Sequence, residues 1–242
     1  MKYVVFMLAV IAAPLVRAEG WSYSLTPYVW LPNINGTLKY DVPEVDTGPN
    51  SYLQNLNMVF MVSGEARKGR WSVVGDLIYL NFDDQKGSVR QVNFGGAAGT
   101  TASGDSRSSL KGVEGMLAGG YTVAPGVDVI AGLRYFGLEA RSDWQLGTTS
   151  GNVSRRADLW DGIVGVRGRV RWGETAWFSP YYFDIGGGSS SLTWQTLVGV
   201  GYAFKWGDAV LAYRTAYFDL GGDKLLQDFR FSGPTLGATF RF

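Results

Sequence analysis

Trp160-Asp161-Gly162-Ile163-Val164-Gly165-Val166-Arg167-Gly168-Arg169-Val170-Arg171-Trp172 decides how this chain folds. Every second residue from Trp160 to Trp172 is apolar or glycine, while the alternate set carries Asp161, Arg167, Arg169 and Arg171. A period of two belongs to a β-strand, whose successive side chains leave on opposite faces. A face of valine and tryptophan opposed to a face of arginines is the pattern of a strand with lipid on one side and a polar lumen on the other.

The same alternation recurs along the chain. Val127, Val129, Ala131, Leu133 and Tyr135 oppose Asp128, Ile130, Gly132 and Arg134; Trp71, Val73, Gly75, Leu77 and Tyr79 leave Asp76 inside. From Leu192 to Phe204 the outer set ends in large apolar groups, and the inner set is small or polar. Aromatic residues close both ends of these faces, as in Trp71 with Tyr79, Trp194 with Tyr202 and Trp160 with Trp172. At roughly 3.3 Å per residue and a tilt near 40°, such separations span about 20–30 Å of height, which matches an apolar band flanked by aromatic girdles. A soluble β-sandwich also alternates, but it has no reason to place aromatics at both ends of its outward face.

Composition agrees with a membrane barrel. The 242 residues include 34 glycines and 14% aromatics, with only 18% charged residues. After residue 19, Gly, Asp, Arg or Ser breaks every apolar run, so a membrane can be crossed only by strands that satisfy one another's backbone groups. A net charge of +1 argues against a nucleic-acid partner. The absence of cysteine excludes disulfides and thiolate chemistry. Met1-Lys2, the apolar run from Tyr3 to Val16, and Arg17-Ala18 read as a signal peptide over residues 1–18, with the mature domain at 19–242.

Candidate spans lie near 21–31, 57–67, 71–82, 109–123, 127–140, 158–172, 176–186, 192–205, 208–219 and 229–242. The expected fold is therefore all-β, a single antiparallel transmembrane β-barrel of about ten strands, with eight to twelve open. Gly36–Tyr40 and Ser88–Phe94 are the segments that would extend a hairpin. The connections at 68–70, 124–126, 173–175 and 206–207 are tight, whereas 32–56, 83–108 and 141–157 are long. Short periplasmic turns and long outer loops place both termini in the periplasm.

The last strand, Thr235-Leu236-Gly237-Ala238-Thr239-Phe240-Arg241-Phe242, resembles the C-terminal signal read by the outer-membrane assembly machinery. The match lies in Thr235, Gly237 and the outward Phe240 and Phe242. Ser24 to Pro32, Glu65 to Trp71 with Asp76 and Tyr79, Leu192 to Gln195, and Ser232 to Phe242 together resemble a family of small Gram-negative outer-membrane barrels. That resemblance implies a cell outer-membrane location and contact with its lipids. Members are mostly of unassigned function, so it implies no mechanism.

The chain has no histidine, the usual proton carrier near neutral pH, and outer-membrane enzymes are alike in relying on one. No catalytic, cofactor or metal site is expected. Gly64 to Trp71 nearly fits a phosphate loop but lacks the Lys and Ser or Thr, and it crosses a strand-to-strand turn. Asp41, Glu44 and Asp46 are loop acids that read as solvated rather than cation-binding, and Gly95 to Gly104 reads as a mobile small-residue tract.

What remains is the lumen. Alternation turns Glu65, Arg67, Asp76, Glu114, Arg134, Asp161, Arg167, Arg169, Asp184, Arg214 and Arg241 inward. They read either as an ion-pair network filling a small barrel or as the slightly cationic lining of a narrow passage for small solutes. Ten strands lie near the filled end of the size range, which favours the network. A surface protein that binds or adheres through its loops is the alternative.

Overall fold

The computed structural model describes residues 20–38, 45–47, 56–93, 101–146, 149–221 and 226–242. The signal-peptide segment 1–18, Asp41, Glu44 and most of the Gly95–Gly104 tract lie outside them. The strands are β1 (Trp21–Trp30), β2 (Asn33–Leu38), β3 (Val45–Thr47), β4 (Leu56–Lys68), β5 (Trp71–Asn93) and β6 (Thr101–Ala124). They continue as β7 (Val127–Leu146), β8 (Thr149–Arg171), β9 (Trp177–Gly188), β10 (Leu192–Ala203), β11 (Gly207–Asp219) and β12 (Leu226–Arg241).

β1 and β4 to β12 follow one another as antiparallel neighbours, and β12 returns to β1, so the sheet closes as a ten-stranded barrel. Ser24 pairs with Arg241 and Trp30 with Thr235 at the seam, and Phe242 exchanges backbone bonds with Tyr23 at 2.9 and 3.2 Å. Closure removes the unpaired edges that a membrane would not tolerate.

β1 and β2 are one span interrupted at Leu31-Pro32. Both run along β12, through Trp30↔Thr235 below the break and Asn33↔Ser232 above it. Pro32 has no N–H to give to a ladder, so regular pairing stops there. Gly233 faces the step: a Cβ at this position would lie 2.1 Å from the Leu31 carbonyl oxygen. Beyond the break β2 pairs with β3 instead of β4, a short hairpin where residues 32–56 read as loop.

Residues 83–108 also read as loop, with Ser88–Phe94 as a segment that would extend a hairpin; β5 indeed continues through Ser88 to Asn93 and β6 starts at Thr101, paired through Gln85↔Ser108 and Asn93↔Thr101. Thr101 to Gly104 of the small-residue tract are thus strand. Likewise the 141–157 connection is mostly the paired ends of β7 and β8. Outside the membrane these strands need no apolar outer face, so their sequence carries no alternation to read. At the opposite end the turns are tight, and Gly69, Gly126 and Gly173 take positive φ of 57°, 76° and 61°, the left-handed conformation that glycine adopts without steric cost.

The burial pattern inverts that of a soluble protein. Leu117, Leu133, Val164, Val198, Leu211 and Leu236 are 58–62% exposed on the outside, while Arg134 and Asp161 are 1% and Asp184 0% exposed inside. At the short-turn end Trp172, Trp177, Tyr202, Phe204, Trp206 and Phe240 touch in series, with ring centroids 4.6–6.2 Å apart. At the other end Tyr135 meets Trp160 and Trp194 meets Tyr217. An apolar belt between two aromatic girdles on a closed antiparallel barrel places the chain in the outer membrane.

Candidate functional site: the lumen

The inward faces stack in layers along the barrel axis. Farthest from the short turns is an apolar layer of Trp30, Met61, Ile78, Phe136, Leu159, Ala216, Phe218 and Phe229. Phe136, Phe218 and Phe229 come from β7, β11 and β12, and their ring centroids are 4.9–5.1 Å apart. Phe231 and Trp30 extend the cluster across the seam. Here the rings fill the barrel's interior, as side chains do in narrow barrels.

The next layer is charged and dry. The Arg214 guanidinium reaches Asp76 at 2.8 Å, Glu114 at 3.1 Å, Gln195 at 3.0 Å and the Tyr28 hydroxyl at 2.9 Å. Tyr28 in turn donates to Asp76 at 2.6 Å. Arg134 is paired with Asp184, donates to Thr193 Oγ1 at 3.1 Å, and lies 4.0 Å from Glu114; Tyr182 also donates to Asp184. Two arginines from β7 and β11 thus tie carboxylates on β5, β6 and β9 together. Charges this deeply buried persist because each is paired and hydrogen-bonded.

Closer to the short turns, Arg67 pairs with Asp128 and with Glu65 at 2.7 Å, and Arg167 reaches Glu65 at 2.7 Å and Asp128 at 3.4 Å. Thr122 donates to Asp128 at 2.7 Å. Arg169, at 3.3 Å, and Arg241 then share Asp208. This half of the lumen encloses a cavity of about 670 Å³ that reaches from Ser22, Gly126 and Arg241 at the short-turn end to Tyr28 and Arg214. Gly201 leaves room at its rim: a Cβ there would lie 2.3 Å from the Phe178 ring.

Of the inward residues named from the sequence, Asp76, Glu114, Arg134, Asp184 and Arg214 meet in the dry layer, and Glu65, Arg67, Arg167, Arg169 and Arg241 lie in the open half. Asp161 is set apart. Its two oxygens accept from the Ser190 N–H and hydroxyl, both at 2.8 Å, so it ties down the β9–β10 connection and not an arginine. Sequence reasoning missed Asp208, Tyr28, Tyr182, Thr193, Gln195 and Ser190 as partners, and left Asp128 out of the network although its alternation pointed inward. With Asp128, Asp208 and the inward Arg171 added, seven arginines stand against seven carboxylates, of which Asp161 alone meets no arginine, so the lining as a whole carries no cationic excess. Gly237 lies on the inward face beside Tyr28; Phe240 and Phe242 point outward at the seam.

No family model matches the chain, and no curated protein matches it in sequence. Among solved structures it is similar to the translocator domain of the autotransporter NalP from Neisseria meningitidis, at 15% identity and a TM-score of 0.46, over 94% of this chain and 90% of that one. It is also similar to Ail, the attachment invasion locus protein of Yersinia pestis, at 11% identity and a TM-score of 0.37, over 93% and 100%. The toluene transporter TodX of P. putida aligns at 11% identity and 0.34, over 93% and 89%. Superpositions this loose establish nothing further about the chain, whose barrel rests on its own strand registers and belt.

Proposed function

We propose that this protein is a structural outer-membrane barrel with a sealed lumen, neither an enzyme nor an open pore. The observation that carries this reading is the packing of Phe136, Phe218 and Phe229 directly above the Arg134 and Arg214 ion pairs. A permeating solute would have to displace clustered rings and separate buried charges, each costing several kcal/mol. In planar bilayers the purified protein is expected to give no conductance steps. Steps that disappear on substituting Arg167 or Arg169 would instead make the lumen a passage for small solutes.

A second reading is favoured by the lengths of the strands. β5, β6, β7 and β8 have 23, 24, 20 and 23 residues, against 12, 12 and 13 in β9, β10 and β11. Their excess lies away from the short turns, so two paired hairpins rise on one side of the barrel and offer a surface for a partner outside the cell. Deleting residues 88–106 is expected to leave the barrel folded; loss of cell-surface binding with the deletion would support this role, and unchanged binding would reject it.

Insertion is proposed to depend on the assembly machinery reading the last strand. Phe242 pairs with Tyr23 through its backbone while its ring faces outward. Its deletion is expected to lower membrane-located protein sharply, and Arg241→Gln to do less. Heat-dependent mobility on detergent gels measures both, and equal folded yields from wild type and deletion would reject the role of this terminus.

A further inference from the structure

We propose that the open half of the lumen binds a single-chain amphiphile with a phosphate monoester head, the head held at the mouth by Arg169 and Arg241. The cavity of about 670 Å³ has a size typical of sites that enclose small ligands. On the sealed-lumen reading it is blind, with Tyr28 and Arg214 at its inner end, so what enters it stays on one side of the membrane.

The chemistry of the mouth differs from that of the layers above. In the layer above and around Asp128, each guanidinium reaches two carboxylates, although the Nε of Arg134, Arg167 and Arg214 is left without a hydrogen-bond partner. At the mouth, Arg169 and Arg241 have one carboxylate between them, Asp208, and are 39% and 44% exposed. Arg171 and Glu174 line an adjoining hollow of about 310 Å³ that Arg169, Phe178 and Arg241 also border. Three arginines therefore face two acids. Guanidinium N–H groups left over in this way are suited to the oxygens of a phosphate.

Two further observations narrow the ligand. Asp208 is 7% exposed at its side chain, yet its Oδ1 is buried without a hydrogen-bond partner. Asp184 Oδ1 in the layer above is left in the same state, so the head is set by oxygen count instead: a phosphate monoester offers three terminal oxygens to the three guanidiniums, whereas a carboxylate offers two. Deeper in, the cavity is walled by Val74 and Met116 on one side and Leu197 and Val210 on the other, with Phe178 beneath Arg169 at 5.3 Å. Such walls accept a hydrocarbon chain.

The inference rests on the sealed-lumen reading only for the blind end, and the two are read out separately. Hexyl phosphate, titrated by calorimetry into the folded protein in a neutral detergent, is expected to bind saturably at one site. Inorganic phosphate, hexanol and hexanoate are each expected to bind at least about tenfold more weakly, since each lacks the chain, the charge or the third oxygen. Arg241→Gln keeps the Arg169–Asp208 pair and should weaken hexyl phosphate about tenfold. Val210→Phe, which leaves every charge in place, should do the same by filling the chain's space. Heat-dependent mobility checks that both variants fold. Binding that is absent, non-saturable or unchanged in both variants would overturn the site, and hexanoate or inorganic phosphate binding as tightly as hexyl phosphate would overturn the assignment of the ligand. Conductance together with saturable binding would overturn the sealed lumen and leave the site standing.

Discussion

The two halves of the lumen are built from the same strands and the same inward alternation, yet one is packed and the other is open. Toward the long hairpins, Trp30, Phe136, Phe218 and Phe229 fill the interior, and Arg134, Asp184 and Arg214 below them are 0–4% exposed. Toward the short turns no such cluster of rings fills the interior, several inward positions are small, Ser22, Ser24 and Thr26 among them, and a cavity remains. A ten-stranded barrel does not by itself determine whether its interior is filled. Side-chain volume at each level does, so a few inward aromatics turn a tube into a vessel closed at one end.

That contrast predicts where damage is greatest. Arg134→Ala should be the most destructive single change, because it strands the Asp184 carboxylate, 0% exposed, in a dry layer. The expected loss is about 3–5 kcal/mol, read as a fall in the urea midpoint of tryptophan fluorescence. A midpoint near that of wild type would mean that water reaches Asp184. Phe218→Ala removes a fully buried ring from the apolar layer and should cost about 3–4 kcal/mol. Combined with Phe136→Ala, it should also give the first measurable conductance in a bilayer. A folded double variant with no current would leave the charged layer as a sufficient seal.

The open half should be more forgiving. When Arg67 is replaced by Gln, Asp128 keeps Thr122 and Arg167, and Arg67 is itself 29% exposed. A loss of about 0.5–1 kcal/mol is expected from the same denaturation curve. At the outer surface, Arg156 and Asp158 pair at 2.8 Å with side chains 66% and 40% exposed, and Arg156→Gln should leave the urea midpoint unchanged. An effect of Arg67→Gln as large as that of Arg134→Ala would erase the distinction between the halves.

The sequence made the spans legible because a strand between lipid and lumen must alternate, and Trp160 to Trp172 does so over its whole length. It offered Gly36–Tyr40 and Ser88–Phe94 only as segments that would extend a hairpin, and it did not show β3 or the full lengths of β5 and β6, because beyond the apolar belt no face must be apolar and a stretch such as Asp83-Asp84-Gln85-Lys86 carries no alternation to read. The inward direction of the charges was readable, but their partners were not. Arg214 meets Glu114 across 100 residues of chain, and Asp208, the second residue of β11, meets Arg169 and Arg241. Such encounters depend on the circumference and stagger of the closed sheet, which no single strand encodes. The apolar seal was hidden for the same reason: Phe136, Phe218 and Phe229 reach one level only when β7, β11 and β12 are in register.

The chain has no cysteine, so a single introduced thiol reports its own surroundings without background. Ser24→Cys, in the open half, and Ala216→Cys, at 0% exposure in the apolar layer, are to be treated with a water-soluble, membrane-impermeant maleimide on the folded protein in bilayers open to reagent on both faces. A lumen open at one end and sealed at the other predicts rapid labelling at Ser24→Cys and none at Ala216→Cys until the protein is unfolded. Comparable labelling of both thiols in the folded state would contradict it.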